Sequence, residues 1–136
     1  MHNKNILEYF VHAITKNYVN FSGRSRRKEF WSIILFFFLS IILTSKLSDF
    51  LDYEVFGYLF GGIFAFFFLP ILSGAVRRMH DIGKSGTNLL IYFIPIIGGI
   101  WVLVLLMTES DYGTNRYGYN PKKDNSDNEI EAIGKE

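Results

Sequence analysis

The sequence predicts an all-α integral membrane protein: one amphipathic interfacial helix plus three transmembrane helices. Three observations predict it. Nearly half of the 136 residues are apolar (49%), and 14 are Phe. Charge is absent from three runs, Phe30–Ser45, Val55–Val76 and Ser85–Thr108, of 16, 22 and 24 residues. A helix needs about 20 apolar residues to cross a bilayer core, so the second and third runs suffice. The first becomes long enough once Glu29 and Lys46 extend their polar heads to the interface. Finally, three such runs leave a globule of this length too little apolar–polar alternation to build a water-facing surface. One membrane domain is expected over 1–121, followed by a polar tail over 122–136.

The first helix is expected at about 5–19. Leu7, Phe10, Val11, Ile14 and Tyr18 share one face, and Glu8, His12, Thr15 and Lys16 the other. Such a helix lies in the membrane interface or docks on the bundle. Ser22 and Gly23 then break it, and Ser25 is a candidate N-cap for the first span, about 28–47. Arg24, Arg26, Arg27 and Lys28 precede that span, and Trp31 stands where an interfacial aromatic belongs.

The second span, about 55–79, contains Gly57 and Gly61, spaced for close helix contact, and Pro70, which predicts a kink or a local break. Gly83 is a natural C-terminal cap, and Gly86 belongs to the turn that follows. The third span, about 87–108, carries Pro95, Gly98 and Gly99, where a kink is expected; a re-entrant hairpin is the alternative, with arms that would be short. Beyond Met107, Gly113, Asn115, Gly118, Asn120 and Pro121 form a turn-rich segment, and the charged tail after it lacks periodicity and predicts disorder.

With three spans, one side holds nine basic and three acidic residues, and the other five and ten. The positive-inside rule then puts the N-terminus in the cytoplasm and the C-terminus outside. The chain has no cysteine, which excludes disulfides, thiolate metal sites and a cysteine nucleophile. No metal or cofactor site is expected: His2, His12 and His80 are scattered, and no carboxylate lies within a span.

Three blocks carry a resemblance. Phe21–Trp31 reads FSGRSRRKEFW, Val76–Gly86 reads VRRMHDIGKSG, and Gly113–Pro121 reads GTNRYGYNP. In this order around apolar spans they resemble the bacterial membrane-protein family known as Domain of Unknown Function 805. Thr87-Asn88 stand where that family often has two tryptophans, and Tyr119-Asn120 where it usually has Pro-Asp. The resemblance implies a small multi-pass protein of the bacterial inner (plasma) membrane and no known chemistry.

The second block invites a functional reading. Cations at the end of a helix complement its dipole and face anionic lipid, which accounts for Arg77 and Arg78. It does not account for Asp81, a carboxylate opposed to the same dipole. Asp81 can pair with Arg77 four residues earlier, cap the next loop, or hold His80 in one tautomer. Gly83-Lys84-Ser85 is no phosphate loop, because Arg78 stands where that motif needs glycine. Arg116 between Tyr112, Tyr117 and Tyr119 is read as a stacked staple, with an outer-face ligand surface as the alternative.

The candidates for lipid or partner binding are therefore Arg24, Arg27, Arg77, Arg78, His80, Asp81 and Arg116, with Gly23, Pro70, Gly83, Gly86, Pro95 and Gly118 as turns and kinks. No catalytic residue is assigned. The expected function is a non-enzymatic membrane component. Its partners are anionic lipid head groups, itself or another membrane protein, with no nucleic acid. An oligomeric transporter or channel subunit is the alternative, ahead of an enzyme acting on a lipid phosphate.

Overall fold

The computed structural model describes residues 5–122, which are all helical or irregular, with no β-strand among them. The part of the expected disordered tail beyond residue 122 lies outside the described residues.

Helix α1 (Ile6–Thr15) opens on a bond from the Asn5 backbone N–H to the Glu8 carboxylate, 3.1 Å, which satisfies one otherwise orphaned donor. It docks on the bundle. Tyr9 and Ala13 are buried, and Phe10 stacks on Phe36 with ring centroids 4.1 Å apart. The buried face is not the apolar face read from the sequence, since Leu7 and Val11 point outward.

Helix α2 (Arg27–Leu47) starts without a side-chain cap. Ser25, the expected cap, is buried and its N–H donates to the Arg77 carbonyl at 3.2 Å, stitching the loop to the end of the next long helix. A short 3-10 turn over Ser48–Phe50 reverses the chain, and α3 (Tyr53–Asp81) returns antiparallel to α2. Phe37 meets Phe64 and Phe67 at 5.2 and 5.4 Å. The close approach of α2 and α3 falls at Gly74, against Phe30 and Ile33, while Gly57 and Gly61 face open space.

Pro70 does not break α3. Proline leaves the carbonyl four residues earlier without its helical donor. Here that carbonyl is Phe66's, and the Tyr18 hydroxyl donates to it at 2.7 Å. At the far end, Gly83 has φ +69. Its N–H donates to His80, and Lys84 N–H donates to Met79, at 3.1 and 2.9 Å. This is the glycine-capped helix end expected there.

The third apolar run departs from the expected span. It forms a 3-10 segment over Gly86–Phe93, a turn at Pro95–Ile96, and α4 (Ile97–Met107). At about 2.0 Å per residue for 3-10 and 1.5 Å for α, each arm is about 16 Å long, roughly half a bilayer core. The arms pack on each other so closely that a Cβ on Gly98 would run into the Ile91 carbonyl. Both ends of the run sit at the C-terminal end of α3: Gly86 lies against Val76, and Arg78 donates to the carbonyls of Leu106 and Thr108. The run doubles back where a third crossing helix was expected. Its composition satisfied a span, but the proline and the glycine pair allow the chain to reverse midway.

Among the described residues two helices, α2 and α3, are long and apolar enough to cross a membrane, and the most apolar windows of these segments are only 22% and 11% buried within the protein. Phe38, Leu39, Ile42 and Leu43 on α2, and Phe64 and Phe68 on α3, face outward. A core helix of a soluble protein would have these side chains covered.

Candidate functional site

The three blocks singled out in the sequence converge at one end of the molecule and interlock. Each contributes because a helix end or a turn leaves backbone carbonyls without partners. The arginines answer them.

Arg24 comes from the loop before α2, and its side chain is 1% exposed. Its Nε donates to Asp81 Oδ1 at 2.9 Å. One terminal nitrogen donates to the Gly113 and Gly118 carbonyls at 2.7 and 3.3 Å, and the other to the Asp81 and Asp111 carbonyls at 3.2 and 2.9 Å. Those five bonds use the full donor set of a guanidinium.

Arg78, on the last turn of α3, is fully buried. It pairs with Asp81 Oδ2 and donates to the carbonyls of Leu106, at 3.1 Å, and of Thr108. A cation at the C-terminus of α4 satisfies end carbonyls and complements the helix dipole. Asp81 completes its set with the Ser110 hydroxyl, which donates to Oδ2. Its backbone carbonyl accepts from the Asp111 N–H at 2.9 Å.

This explains the carboxylate that opposed its own helix dipole. Asp81 is the shared counter-charge of two arginines, one in its own turn and one 57 residues away in sequence. The Arg77–Asp81 pair, one of the three arrangements open to Asp81 in the sequence, does not form. Arg77 turns the other way and donates to Glu29 on α2 at 2.9 Å. Asp81 does not hold His80 either. The His80 Nδ1 faces the Gly23 carbonyl at 3.2 Å, which requires the Nδ1–H tautomer, and its ring stacks on Tyr117 with centroids 3.8 Å apart.

Arg116 lies over the Tyr117 ring at 4.7 Å and reaches the Gly83 carbonyl at 3.4 Å, the staple expected from sequence. Asn115 adds a second tie between the blocks, its Nδ2 donating to the His80 carbonyl at 2.9 Å. Gly118 pairs with Asn115 across a tight turn.

Arg27 stands apart from this knot. It is half-exposed and pairs with Glu109 at 2.7 Å. Lys122 pairs with the other oxygen of the same carboxylate. Burial, more than any charge, pulls the Lys122 ammonium below its ordinary value, with Arg27 as the next cause. Arg26, Arg27, Lys28 and Lys122 together line a shallow cavity of about 290 Å³. A second cavity, about 240 Å³, lies between α1 and the start of α2, lined in part by Arg26, Glu29 and Arg77. Among the described residues no cluster of three or more His, Asp or Glu is placed to hold a metal ion.

The sequence reading missed Glu29, Ser110, Asp111 and Asn115 as partners in these contacts. Glu29 and Asn115 were inside quoted blocks, and that membership was the available signal.

No solved structure matches this chain. Two relatives in Escherichia coli K12 do. Inner membrane protein YhaI is 41% identical over 110 residues, covering 81% of this chain and 92% of the relative. Inner membrane protein YhaH is 34% identical over 114 residues, covering 80% and 93%. Both are named as inner membrane proteins, in keeping with the outward-facing apolar surfaces of α2 and α3. The profile of the family described as proteins of unknown function (DUF805) matches residues 18–119, a span that takes in the first two interlocked blocks and all but the last two residues of the third, and the chain belongs to that family.

Proposed function

We propose that this protein is a non-enzymatic component of the bacterial inner membrane that gathers anionic lipid head groups on a basic cytoplasmic face. In this reading α2 and α3 cross the bilayer, the third run enters and leaves from one side, and the segments before α2 and after α4 share the cytoplasmic side. The observation that carries the reading is the concave cluster of Arg26, Arg27, Lys28 and Lys122 at the start of α2. Clustered cations next to a membrane helix attract anionic lipid by about 1 kcal/mol each. Arg24, Arg78 and Asp81 are occupied by one another, so in this proposal they build the face rather than contact lipid.

The test is the lipid retained by the full chain in discs of mixed zwitterionic and anionic lipid, read by native mass spectrometry. Arg27→Ala with Lys28→Ala removes two cations without touching the buried knot. Preference for anionic lipid is expected to fall by roughly thirtyfold, as two such charges imply. An unchanged lipid profile in the double variant would sink the proposal.

A further inference from the structure

We infer that the cavity between α1 and the start of α2 is a binding site for one small oxyanion of the phosphate class. This goes beyond the basic face just described: it shares Arg26 with that face and otherwise uses an inner set of groups.

The cavity holds about 240 Å³ and is lined by His12, Asn17, Asn20, Arg26, Glu29 and Arg77, among others. The Arg77 side chain is 3% exposed. One of its terminal nitrogens donates to Glu29, yet its Nε and Nη2 have no hydrogen-bond partner. Arg26 gives one terminal nitrogen to the Tyr9 hydroxyl at 3.1 Å and its Nε to the Pro121 carbonyl, and its Nη2 is also without a partner. The contrast with Arg24 and Arg78 is informative. Those guanidiniums are answered by carboxylate and carbonyl oxygens, while Arg26 and Arg77, which line the cavity together with Arg24, keep donors in hand.

Unsatisfied N–H groups on a buried cation are costly, and an anion that accepts from them offsets that cost with charge-assisted bonds. The balance of charge points the same way. Glu29 is the single carboxylate in the lining, against Arg26 and Arg77, since Arg24, also in the lining, is committed to Asp81. Glu29 is itself held by Arg77 and by the Asn17 side-chain amide at 3.1 Å. That amide also lies 3.2 Å from His12 Nδ1.

Three unpartnered nitrogens on two guanidiniums suit a group with three acceptor oxygens, which a phosphate offers and a carboxylate does not. The volume is far above the ~30 Å³ share of one water. It accommodates a phosphate group and the beginning of an ester. A free phosphate ion and the phosphomonoester head of a lipid present the same chemistry.

The test uses the full chain in discs of zwitterionic lipid. Inorganic phosphate is titrated against chloride at matched ionic strength, with melting temperature and calorimetric affinity as readouts. A parallel set of discs contains phosphatidic acid. Saturable stabilisation by phosphate identifies the free ion as sufficient; stabilisation by phosphatidic acid alone identifies a lipid head group. Arg77→Lys keeps a cation for Glu29 but removes the unpartnered nitrogens, and binding should weaken at least about tenfold. Arg26→Gln should weaken it similarly while leaving the Arg77–Glu29 pair intact, and it decides the matter if Arg77→Lys melts early without ligand. Arg27→Ala with Lys28→Ala should leave this binding unchanged, so failure of the surface reading is distinguishable from failure here. If neither probe stabilises the protein beyond chloride, or both arginine variants bind as tightly as the parent, the cavity holds water only and the inference falls.

Discussion

Asp81 has two arginine partners and no exposure, an arrangement whose energy is dominated by what happens when one member leaves. Removing one side of a buried ion pair costs about 3–5 kcal/mol, because the charge left behind is neither solvated nor neutralised. Asp81→Asn keeps the shape and strips the charge from under Arg24 and Arg78 together. It is expected to lower unfolding free energy by about that amount in a denaturant titration of the protein in discs. His80→Ala, which removes one ring stack and one bond to the Gly23 carbonyl, is expected to cost about 1–2 kcal/mol. Equal losses in the two variants would mean that the charge is not what holds the three blocks together. Asp81 was conspicuous in the sequence for opposing its helix dipole, and the anomaly did mark a site. Its partner Arg24 was visible only as one of four clustered cations. Nothing in residue spacing says which arginine in a run turns inward, because that choice is made by carbonyls 87 to 94 residues away.

At the scale of elements, the third apolar run shows how composition and direction come apart. Hydropathy reads a 24-residue uncharged stretch as a crossing, whether the chain goes through or turns round. Pro95 and the Gly98-Gly99 pair were legible as irregularities. The reversal itself depends on Ile96, with φ +66 and ψ −59, and on a bond from Ile97 N–H to the Pro95 carbonyl at 2.7 Å. That is a three-residue turn in a region that β-branched residues avoid. Ile96 is also 86% exposed within the protein, so its side chain contributes little to internal packing. Ile96→Gly relieves the strain, less the entropy that glycine adds to the unfolded chain, for a net gain of about 0.5–1 kcal/mol. Gly98→Ala should do the reverse, by roughly 2–3 kcal/mol, since a methyl group meets the Ile91 backbone rather than a side chain that can move aside. A thermal melt of the two variants beside the parent checks both signs. Stabilisation by Gly98→Ala would mean that the arms are not packed as described.

For the whole molecule, the reversal decides which groups share a side of the membrane. With three crossings, the positive-inside count is a moderate bias, nine basic residues against five. With two crossings and a hairpin, the proposed topology leaves Lys46 as the one Lys or Arg among 14 on the far side, accompanied by Asp49, Asp52 and Glu54. The buried knot makes the same demand by a separate route. Arg24, from before α2, donates to Asp111, Gly113 and Gly118, from after α4, and such bonds cannot form across a bilayer. Sequence reading reached the helical membrane class and both long helices, but its three crossings would put the last block across the membrane from Arg24, which the structure bonds to it. Side is assigned by counting crossings, so whether one run is taken as a crossing or as a hairpin decides the side of everything after it. The chain contains no cysteine, so single-cysteine variants report position without background. Phe50→Cys, in the turn between α2 and α3, and Tyr119→Cys, in the last block, are both at exposed positions. In intact spheroplasts a membrane-impermeant maleimide is expected to label Phe50→Cys at once and Tyr119→Cys only after the membrane is opened. Labelling of both in intact spheroplasts would restore the third crossing, and with it would have to come a different fold for the knot, because Arg24 and the Asp111–Gly118 loop would then face opposite compartments.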